Sequence, residues 1–162
     1  MTEFESLYEH YSKDIFRFAL YLCGNYADAE DIASDTFVLA WNAVGRIRAA
    51  TAKSYLFAIA RNCYLERLRR GARQTELDER LPDFKSNLCA DVERRAELDR
   101  ILAVLQQLPE VDRTVLLLRV QEEMSYQEIA EAMQLPLSVV KVKIHRARLK
   151  LTQWRAAQEL KR

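Results

Sequence analysis

The chain has 162 residues, of which 49% are hydrophobic and 30% are charged, and its formal net charge is +1. This composition is typical of a soluble folded protein of one ordinary domain or two small ones, and so small a net charge argues against a polyanionic partner. Three glycines and three prolines are too few for the turns of a β-sandwich or barrel. The glycines are also isolated, which excludes a P-loop or a dinucleotide-binding fingerprint. We therefore predict an all-helical protein, and no motif indicates a cofactor.

The first 70 residues predict three amphipathic helices. The first begins at a capping box formed by Thr2 and Glu5 and ends at Gly24, the second spans about 27–43, and the third spans about 52–70. The second and third helices are expected to bury Ala29, Ile32, Ala33, Thr36, Phe37, Ala40, Trp41, Val44, Tyr55, Leu56, Ile59, Ala60, Cys63 and Leu68.

Beyond Gly71 the apolar periodicity fails for about 20 residues, a length that is unusual for a loop inside one compact domain. We interpret this polar stretch as a flexible linker over residues 73–90 that joins two small helical domains, over residues 1–72 and 91–162. The second domain begins with two helices on either side of Pro109.

A helix-turn-helix follows in the second domain. Ser125 and Glu128 form a second capping box that opens a short helix ending at Met133. Pro136 is expected at the first position of a longer helix that runs to about Ala157. In such motifs the second helix enters the major groove. The side chains expected to face bases are Ser138, Val139, Lys141 and Val142. Lys143, Arg146, Arg148 and Lys150 are expected to be better phosphate contacts, and His145 is expected to be exposed beside them.

The small net charge hides a segregated charge distribution. Residues 1–40 have a net charge of −6, whereas residues 41–73 and residues 136–162 each have a net charge of +7. Two basic blocks on two domains are typical of a protein that binds a polyanion. The first block combines cations with aromatic and amide side chains, which can hold unstacked bases, although Tyr55 and Phe57 are equally compatible with a core role. This set consists of Arg46, Arg48, Lys53, Tyr55, Phe57, Arg61 and Asn62.

Metal and disulfide chemistry is not indicated. Cys23, Cys63 and Cys89 are widely spaced and odd in number, and neither His10 nor His145 lies near a cysteine in the sequence. We expect free thiols in a reducing compartment and no metal site. The acidic N-terminus and the absence of a long apolar run indicate a cytoplasmic protein that does not insert into a membrane.

Three stretches, 4–41, 54–70 and 98–151, together resemble the extracytoplasmic-function (ECF) group of the sigma-70 family of bacterial RNA polymerase sigma factors. They carry the motifs AEDI, DTF, IARN and HRAR in the family's order and cover about two thirds of the chain. The resemblance implies sigma region two, a linker, and sigma region four with its helix-turn-helix. It also implies a promoter-specificity subunit that is not an enzyme.

The resemblance further implies roles for individual residues. The acidic second helix resembles the surface that docks on the clamp helices of the largest catalytic subunit of core polymerase, and region four implies contact with the flap of the second subunit. The implied docking residues are Glu30, Asp31, Ser34, Asp35 and Val38. The implied minus-ten residues, which capture single-stranded DNA, are Arg46, Arg48, Lys53, Tyr55, Arg61 and Asn62. The implied minus-thirty-five residues, which read promoter duplex, are Ser138, Val139, Lys141, Val142, Lys143, His145 and Arg146. An anti-sigma factor is implied as a further partner.

The chain departs from the family pattern at Ser34 (commonly Gln), Tyr55 (commonly Trp), Ala58 (commonly Arg), Gln134 (commonly Gly) and Pro136 (commonly Ser). Gln134 is expected to occupy a left-handed backbone position at a cost of about 1 kcal/mol. An alternative function is a stand-alone helix-turn-helix regulator that binds operator DNA as a dimer; another is an inhibitor-binding sigma mimic, which the two basic blocks disfavour. For a free sigma factor we expect weak promoter binding, because a flexible tether does not hold the two readers at promoter spacing.

Overall fold

The computed structural model describes residues 2–74 and 92–160, which we call the N-terminal half and the C-terminal half. Over these residues the chain forms seven α-helices and two short 3₁₀ turns. The helices are α1 (Glu3–Cys23), α2 (Tyr26–Asn42), α3 (Ala52–Gln74), α4 (Val92–Gln106), α5 (Glu110–Val120), α6 (Tyr126–Met133) and α7 (Leu137–Leu160). The 3₁₀ turns, Val44–Arg46 and Ala49–Thr51, connect α2 to α3. The all-helical prediction is confirmed; most of the predicted linker and Cys89 lie outside the described residues.

The N-terminal half is a bundle of α1, α2 and α3. Both predicted ends of α1 are confirmed: Thr2 and Glu5 form the capping box, and Gly24 adopts a left-handed φ of 76°. A side chain at Gly24 would be strained by that φ and would also meet the Gln106 side chain, about 3.1 Å from an added Cβ. Phe18 and Phe57 pack edge to face at the centre of the bundle, with ring centroids 5.1 Å apart.

The C-terminal half is arranged around α5, whose residues 112–118 are all buried. The short helix α6 begins at the predicted capping box of Ser125 and Glu128 and packs with α7 against α5. Gln134 ends α6 with φ 54° and ψ 46°, so the turn keeps the expected left-handed geometry although it lacks glycine. The amide of Leu135 then donates to the carbonyl of Ala130 at 3.0 Å, which closes the turn.

The two halves pack directly against each other. Helices α4 and α5 contact α1, and α6 contacts α3. One continuous hydrophobic core runs through both halves and includes Phe18 and Leu22 on one side and Leu105 and Leu108 on the other. From the sequence, we expect only a flexible tether to connect the two readers of the free chain. This expectation is wrong, because the two folded halves share a packed interface.

Several details of the sequence-based prediction are wrong. Helix α3 continues to Gln74, four residues past the predicted end, and Pro136 precedes the first residue of α7 instead of occupying it. Trp41, Tyr55 and Leu68 were expected in the core but are 58%, 41% and 47% exposed. Each lies at the edge of an apolar helical stripe, where periodicity does not distinguish a buried position from a boundary position. No helix among the described residues is long and apolar enough to span a membrane.

Candidate nucleic-acid and polymerase interface

The acidic face of α2 is open to solvent. The five predicted docking residues are all exposed, and they are Glu30, Asp31, Ser34, Asp35 and Val38. Asn25 caps the start of α2, and its side chain accepts a hydrogen bond from the amide of Asp28 at 2.9 Å. Val38 is 60% exposed, and its neighbour Leu39 is 49% exposed. The structure thus presents acidic and apolar side chains together on one surface of the N-terminal half.

A surface hollow of about 370 Å³ lies between α2 and α3 beside this acidic face. It brings Asp35 and Val38, which were predicted to dock on polymerase, next to Asn62, which was predicted to contact DNA. Its other lining residues, Leu39, Cys63, Glu66, Arg67 and Arg70, were not predicted as site residues. Arg67 donates to Asp28 and to Asp31, at 3.2 Å in each case, and so joins α3 to the acidic face.

The predicted minus-ten residues do not form one cluster. Arg46 and Arg48 are exposed in the connection between α2 and α3, and Tyr55 is exposed on α3. Asn62 lines the hollow, whereas Lys53 and Arg61 face the C-terminal half. Among the aromatic side chains of this block, Phe57 is 1% exposed. Phe57 is therefore a core residue, whereas Tyr55 is exposed and available to stack on a base.

Both inward-facing cations of α3 are bound by acceptors of the C-terminal half. Arg61 forms a bidentate ion pair with Glu110, with Nε–Oε1 at 2.8 Å and Nη2–Oε2 at 3.1 Å. Lys53 donates to the backbone carbonyl of Glu122. The Glu122 carboxylate is itself buried and accepts from Arg17 at 3.1 Å and 3.3 Å. Two residues predicted to hold DNA are therefore occupied by protein groups in this structure.

Burial raises the pKa of the Glu122 carboxyl, and the nearby positive charge of Arg17 only partly opposes the shift. Asp14 adds to the increase, and Lys53 acts against it. Desolvation disfavours the charged form of a buried carboxyl group. Burial therefore disfavours the charged form of Glu122 by more than the ion pair with Arg17 favours it.

A buried arginine lies at the centre of the contact between the halves. Arg113 donates from Nη1 to the carbonyl of Leu22, to the hydroxyl of Tyr64 at 3.0 Å and to Oε1 of Gln106 at 3.2 Å. Gln106 in turn donates to the same Leu22 carbonyl at 2.9 Å. This network satisfies the carbonyl at the C-terminal end of α1, which no longer has a partner within its own helix.

The residues of α7 predicted to read duplex differ in their exposure. Ser138, Lys141, Val142 and His145 are exposed, and Val139 is partly buried. The two remaining predicted readers, Lys143 and Arg146, both contact a single carboxylate, that of Asp112 on α5. The predicted recognition surface therefore combines exposed side chains, such as Lys141 and Val142, with two cations that are bound to Asp112.

Among the described residues, the thiol of Cys23 is partly buried, and that of Cys63 is buried at the wall of the hollow. Burial raises the pKa of Cys23 to about 11, and burial also raises the pKa of Cys63. Both thiols are therefore protonated at neutral pH and poorly nucleophilic. Within the described residues no group of three His, Cys, Asp or Glu side chains is arranged to hold a metal ion.

The acceptors Glu110, Glu122 and Asp112 were not predicted from the sequence. All three lie in an acidic segment that showed no motif of its own. A sequence signal existed only in the charge pattern, since residues 101–135 have a net charge of −4 between two basic blocks. That pattern is compatible with acidic groups that pair with the basic blocks, but it does not specify which residues pair.

Two parts of the chain match models of one protein family. Residues 7–74 match sigma-70 region 2, and residues 98–151 match sigma-70 region 4. The sigma-H factor of Pseudomonas aeruginosa is 37% identical over 134 residues, covering 75% of this chain and 69% of the relative. The sigma factor YlaC of Bacillus subtilis is 29% identical over 153 residues, covering 91% of this chain and 88% of the relative.

Two solved structures share the fold. The sigma factor RpoE of Bartonella quintana, in complex with the anti-sigma factor NepR, superposes with a TM-score of 0.78 at 22% identity, covering 94% of this chain and 96% of that one. CnrH, in complex with the cytosolic domain of CnrY, superposes with a TM-score of 0.71 at 26% identity, covering 95% and 88%. Sigma factors are transcription initiation factors and not enzymes. With region 2 matched to the N-terminal half and region 4 to the C-terminal half, the chain belongs to the ECF sigma factors of the sigma-70 family.

Proposed function

We propose that this chain directs core RNA polymerase to a specific set of promoters by reading upstream duplex with α7 and holding the minus-ten strand with the α2–α3 surface. The observation that carries the proposal is the capped helix-turn-helix with five predicted readers exposed on α7, in the same chain as an exposed acidic face on α2. An acidic docking face complements a basic partner surface and speeds association. We assign that partner as the clamp helices of the polymerase.

The proposed reading of promoter duplex depends on α7 entering the major groove. Lys141 and Ser138 can donate to base edges, and Val142, which is 61% exposed, can contact a thymine methyl group. Arg148 and Lys150, further along α7, would bind phosphates, which position the helix without selecting a sequence. This division predicts that Lys141→Ala changes promoter preference, whereas Arg148→Ala weakens binding to all promoters alike.

The strand-holding surface rests on Arg46, Arg48, Tyr55 and Asn62, which are accessible in the structure. Lys53 and Arg61 can join them only when their contacts with Glu122 and Glu110 are exchanged for contacts with DNA. Binding of the minus-ten strand by all six residues therefore requires the two halves to separate at this interface. The docking face on α2 is exposed in the packed arrangement, so polymerase can bind before that separation.

We also propose an anti-sigma factor as a partner. The support is that one similar structure is a sigma factor in complex with an anti-sigma factor, RpoE with NepR, and that a second similar protein, CnrH, is in complex with the cytosolic domain of CnrY. Added to a reconstituted reaction before core polymerase, the anti-sigma factor of this chain should abolish its transcription, and added after promoter opening it should have little effect.

The proposed function is tested by reconstitution. The purified chain and core polymerase are combined with a promoter library, and run-off products that require both components, with one enriched promoter sequence, are the expected result. Asp35→Arg should lower the yield by weakening docking. Glu159→Arg makes the same charge change at a carboxylate near the far end of α7 and should leave the yield unchanged. Tight, sequence-specific binding to DNA by the chain alone, with no polymerase-dependent product, would instead indicate a stand-alone regulator.

A further inference from the structure

A buried carboxylate lies beneath the proposed reading face of α7. Asp112 is in the first turn of α5 and is fully buried. Its Oδ2 accepts from Nε of Arg146 at 2.9 Å, and its Oδ1 accepts from Nη2 of the same guanidinium at 3.1 Å. Lys143 Nζ lies 3.4 Å from Oδ1. One carboxylate therefore holds two cations that project from successive turns of the recognition helix.

Asp112 is ionised in this setting. Burial acts to raise its pKa, but the hydrogen bonds and positive charges of Arg146 and Lys143 outweigh burial, so that the pKa of the carboxyl is lowered. The pair is bidentate and charge-assisted, which is the arrangement in which an arginine–carboxylate contact is strongest and most directional.

The contact leaves the distal end of the guanidinium available. Arg146 uses Nε and one N–H of Nη2 to bind Asp112, and its side chain is still 50% exposed. Nη1 and the second N–H of Nη2 form the outer edge of the fork, and two N–H donors on one edge match O6 and N7 of a guanine. An unrestrained arginine loses much rotamer freedom when it binds a base, and a side chain already fixed by a carboxylate has lost most of that freedom in advance.

Resting on the proposed function, we infer that Asp112 is a positioning residue for promoter recognition, which orients the Arg146 guanidinium for bidentate binding to one guanine of the upstream element. Asp112 does not touch DNA; it acts through Arg146. Its second effect is to offset part of the positive charge of Lys143 and Arg146, which limits their attraction to phosphates of any sequence. Asp112 thereby favours selectivity over general affinity.

If the contact between Asp112 and Arg146 only held α5 against α7, different results would be expected. Loss of such a tie would lower occupancy at all base pairs together and would reduce binding to every duplex. Loss of a positioning residue removes preference at one base pair, and the released cations bind unrelated duplex more strongly. The two effects have opposite signs on non-specific binding, so a stability effect alone does not mimic the second outcome.

The experiment compares holoenzymes reconstituted with wild type, Asp112→Asn, Asp112→Leu, Arg146→Ala and the double variant Asp112→Asn/Arg146→Ala on a promoter library randomised in the upstream element. We expect Asp112→Asn and Arg146→Ala to lose preference at the same single base pair by about tenfold, and the double variant to lose no more than either single variant. We also expect Asp112→Asn to bind a duplex of unrelated sequence more tightly at low salt and to show a steeper salt dependence.

The controls separate folding, charge and function. Glu159→Gln removes one negative charge from the exposed pair with Arg155 near the C-terminal end of α7 and should leave base preference unchanged. Asp112→Leu fills the buried site with an apolar side chain of similar size, and Arg146 can turn to solvent because it is half exposed, so this variant should fold and repeat the Asn result. The inference is overturned if both Asp112 variants keep the preference that Arg146→Ala removes, or if they lose preference equally at every position. The proposed function itself is wrong if the wild-type holoenzyme enriches no upstream sequence.

Discussion

The two basic blocks have the same net charge of +7, but their cations are held in different ways. In the N-terminal half, Lys53 and Arg61 are held by acceptors that belong to the other half of the chain. In the C-terminal half, Lys143 and Arg146 are held by Asp112, which lies in the same half and on a helix that packs against α7. Separation of the halves therefore frees the first pair of cations and leaves the second pair in place. Equal charge in the sequence does not mean equal availability to DNA.

The largest expected effect comes from breaking the interface at its buried arginine. Arg113→Ala removes the charged donor to Leu22, Tyr64 and Gln106, although the Leu22 carbonyl keeps Gln106 as a donor. The loss of these buried charge-assisted hydrogen bonds should lower the free energy of unfolding by about 2–3 kcal/mol. We expect a larger radius of gyration in solution scattering and a lower midpoint in urea. Arg119→Ala is the matched control on the same helix, because Arg119 donates to Met124 within the C-terminal half. Equal expansion of both variants would contradict a specific role for the interface.

The second prediction frees one cation of the N-terminal half. Glu110→Gln removes the bidentate acceptor of Arg61, so the free protein should bind a single-stranded oligonucleotide several-fold more tightly in fluorescence anisotropy. Glu66→Gln removes a carboxylate that pairs with Arg69 and Arg70 along α3 itself and should give a smaller gain. If the two variants gained equally, net charge would explain the effect and the contact between the halves would not.

The third prediction concerns the turn of the C-terminal reader, which is set locally. Gln134 has φ 54°, where a side chain costs about 1 kcal/mol relative to glycine. Gln134→Gly should therefore raise the free energy of unfolding by about 0.5–1 kcal/mol in urea without altering promoter preference. Ala132→Gly, within α6, should change it by a similar amount in the opposite direction. If Gln134→Gly left the free energy of unfolding unchanged or lowered it, the turn would not be strained at this position.

The smallest expected effect is on the pH dependence of the interface. The folded protein raises the pKa of Glu122 above its ordinary value of 4.5. A carboxyl group with a raised pKa in the folded state adds stability as the pH falls through that pKa towards 4.5, and this contribution is lost as the pH rises. Glu122→Gln mimics the protonated form and should slightly raise the thermal midpoint at pH 7. The advantage should shrink as the pH approaches 4.5.

Asp112 and Glu128 work in the opposite sense, since the pKa of each carboxyl is lowered in the folded protein. Their contributions to folding stability are lost at more acidic pH, below the ordinary values of 3.8 and 4.5 respectively.

A thermal midpoint of Glu122→Gln that stayed below the wild type at every pH would show that the charge of Glu122, paired with Arg17, is a net stabiliser of the interface.

Much of the candidate site was predictable because it depends on local rules. The capping boxes at Thr2 and Ser125, the end of α1 at Gly24 and the left-handed turn at Gln134 follow from side-chain chemistry within four residues. Helical periodicity accounts for the exposure of Ser138, Lys141, Val142 and His145 on α7, and for the exposure of the five residues on α2 that the family resemblance implies for docking. Periodicity failed at Trp41, Tyr55 and Leu68, since these residues lie at the border of a stripe and only the neighbouring helices decide how far a border is covered.

The sequence by itself determined the helices, their ends, the helix-turn-helix and the two basic blocks, because each arises from interactions between residues close in the chain. Only the tertiary structure decided which cations are bound by acceptors of the protein and which remain available to DNA. Arg61 and Glu110 are 49 residues apart, and Lys53 and Glu122 are 69 residues apart. Such pairs form only when the crossing of whole helices brings them within hydrogen-bond distance, and no local pattern encodes that crossing. The same holds for Asp112 and Arg146, whose contact joins α5 to α7 beneath the proposed reading face.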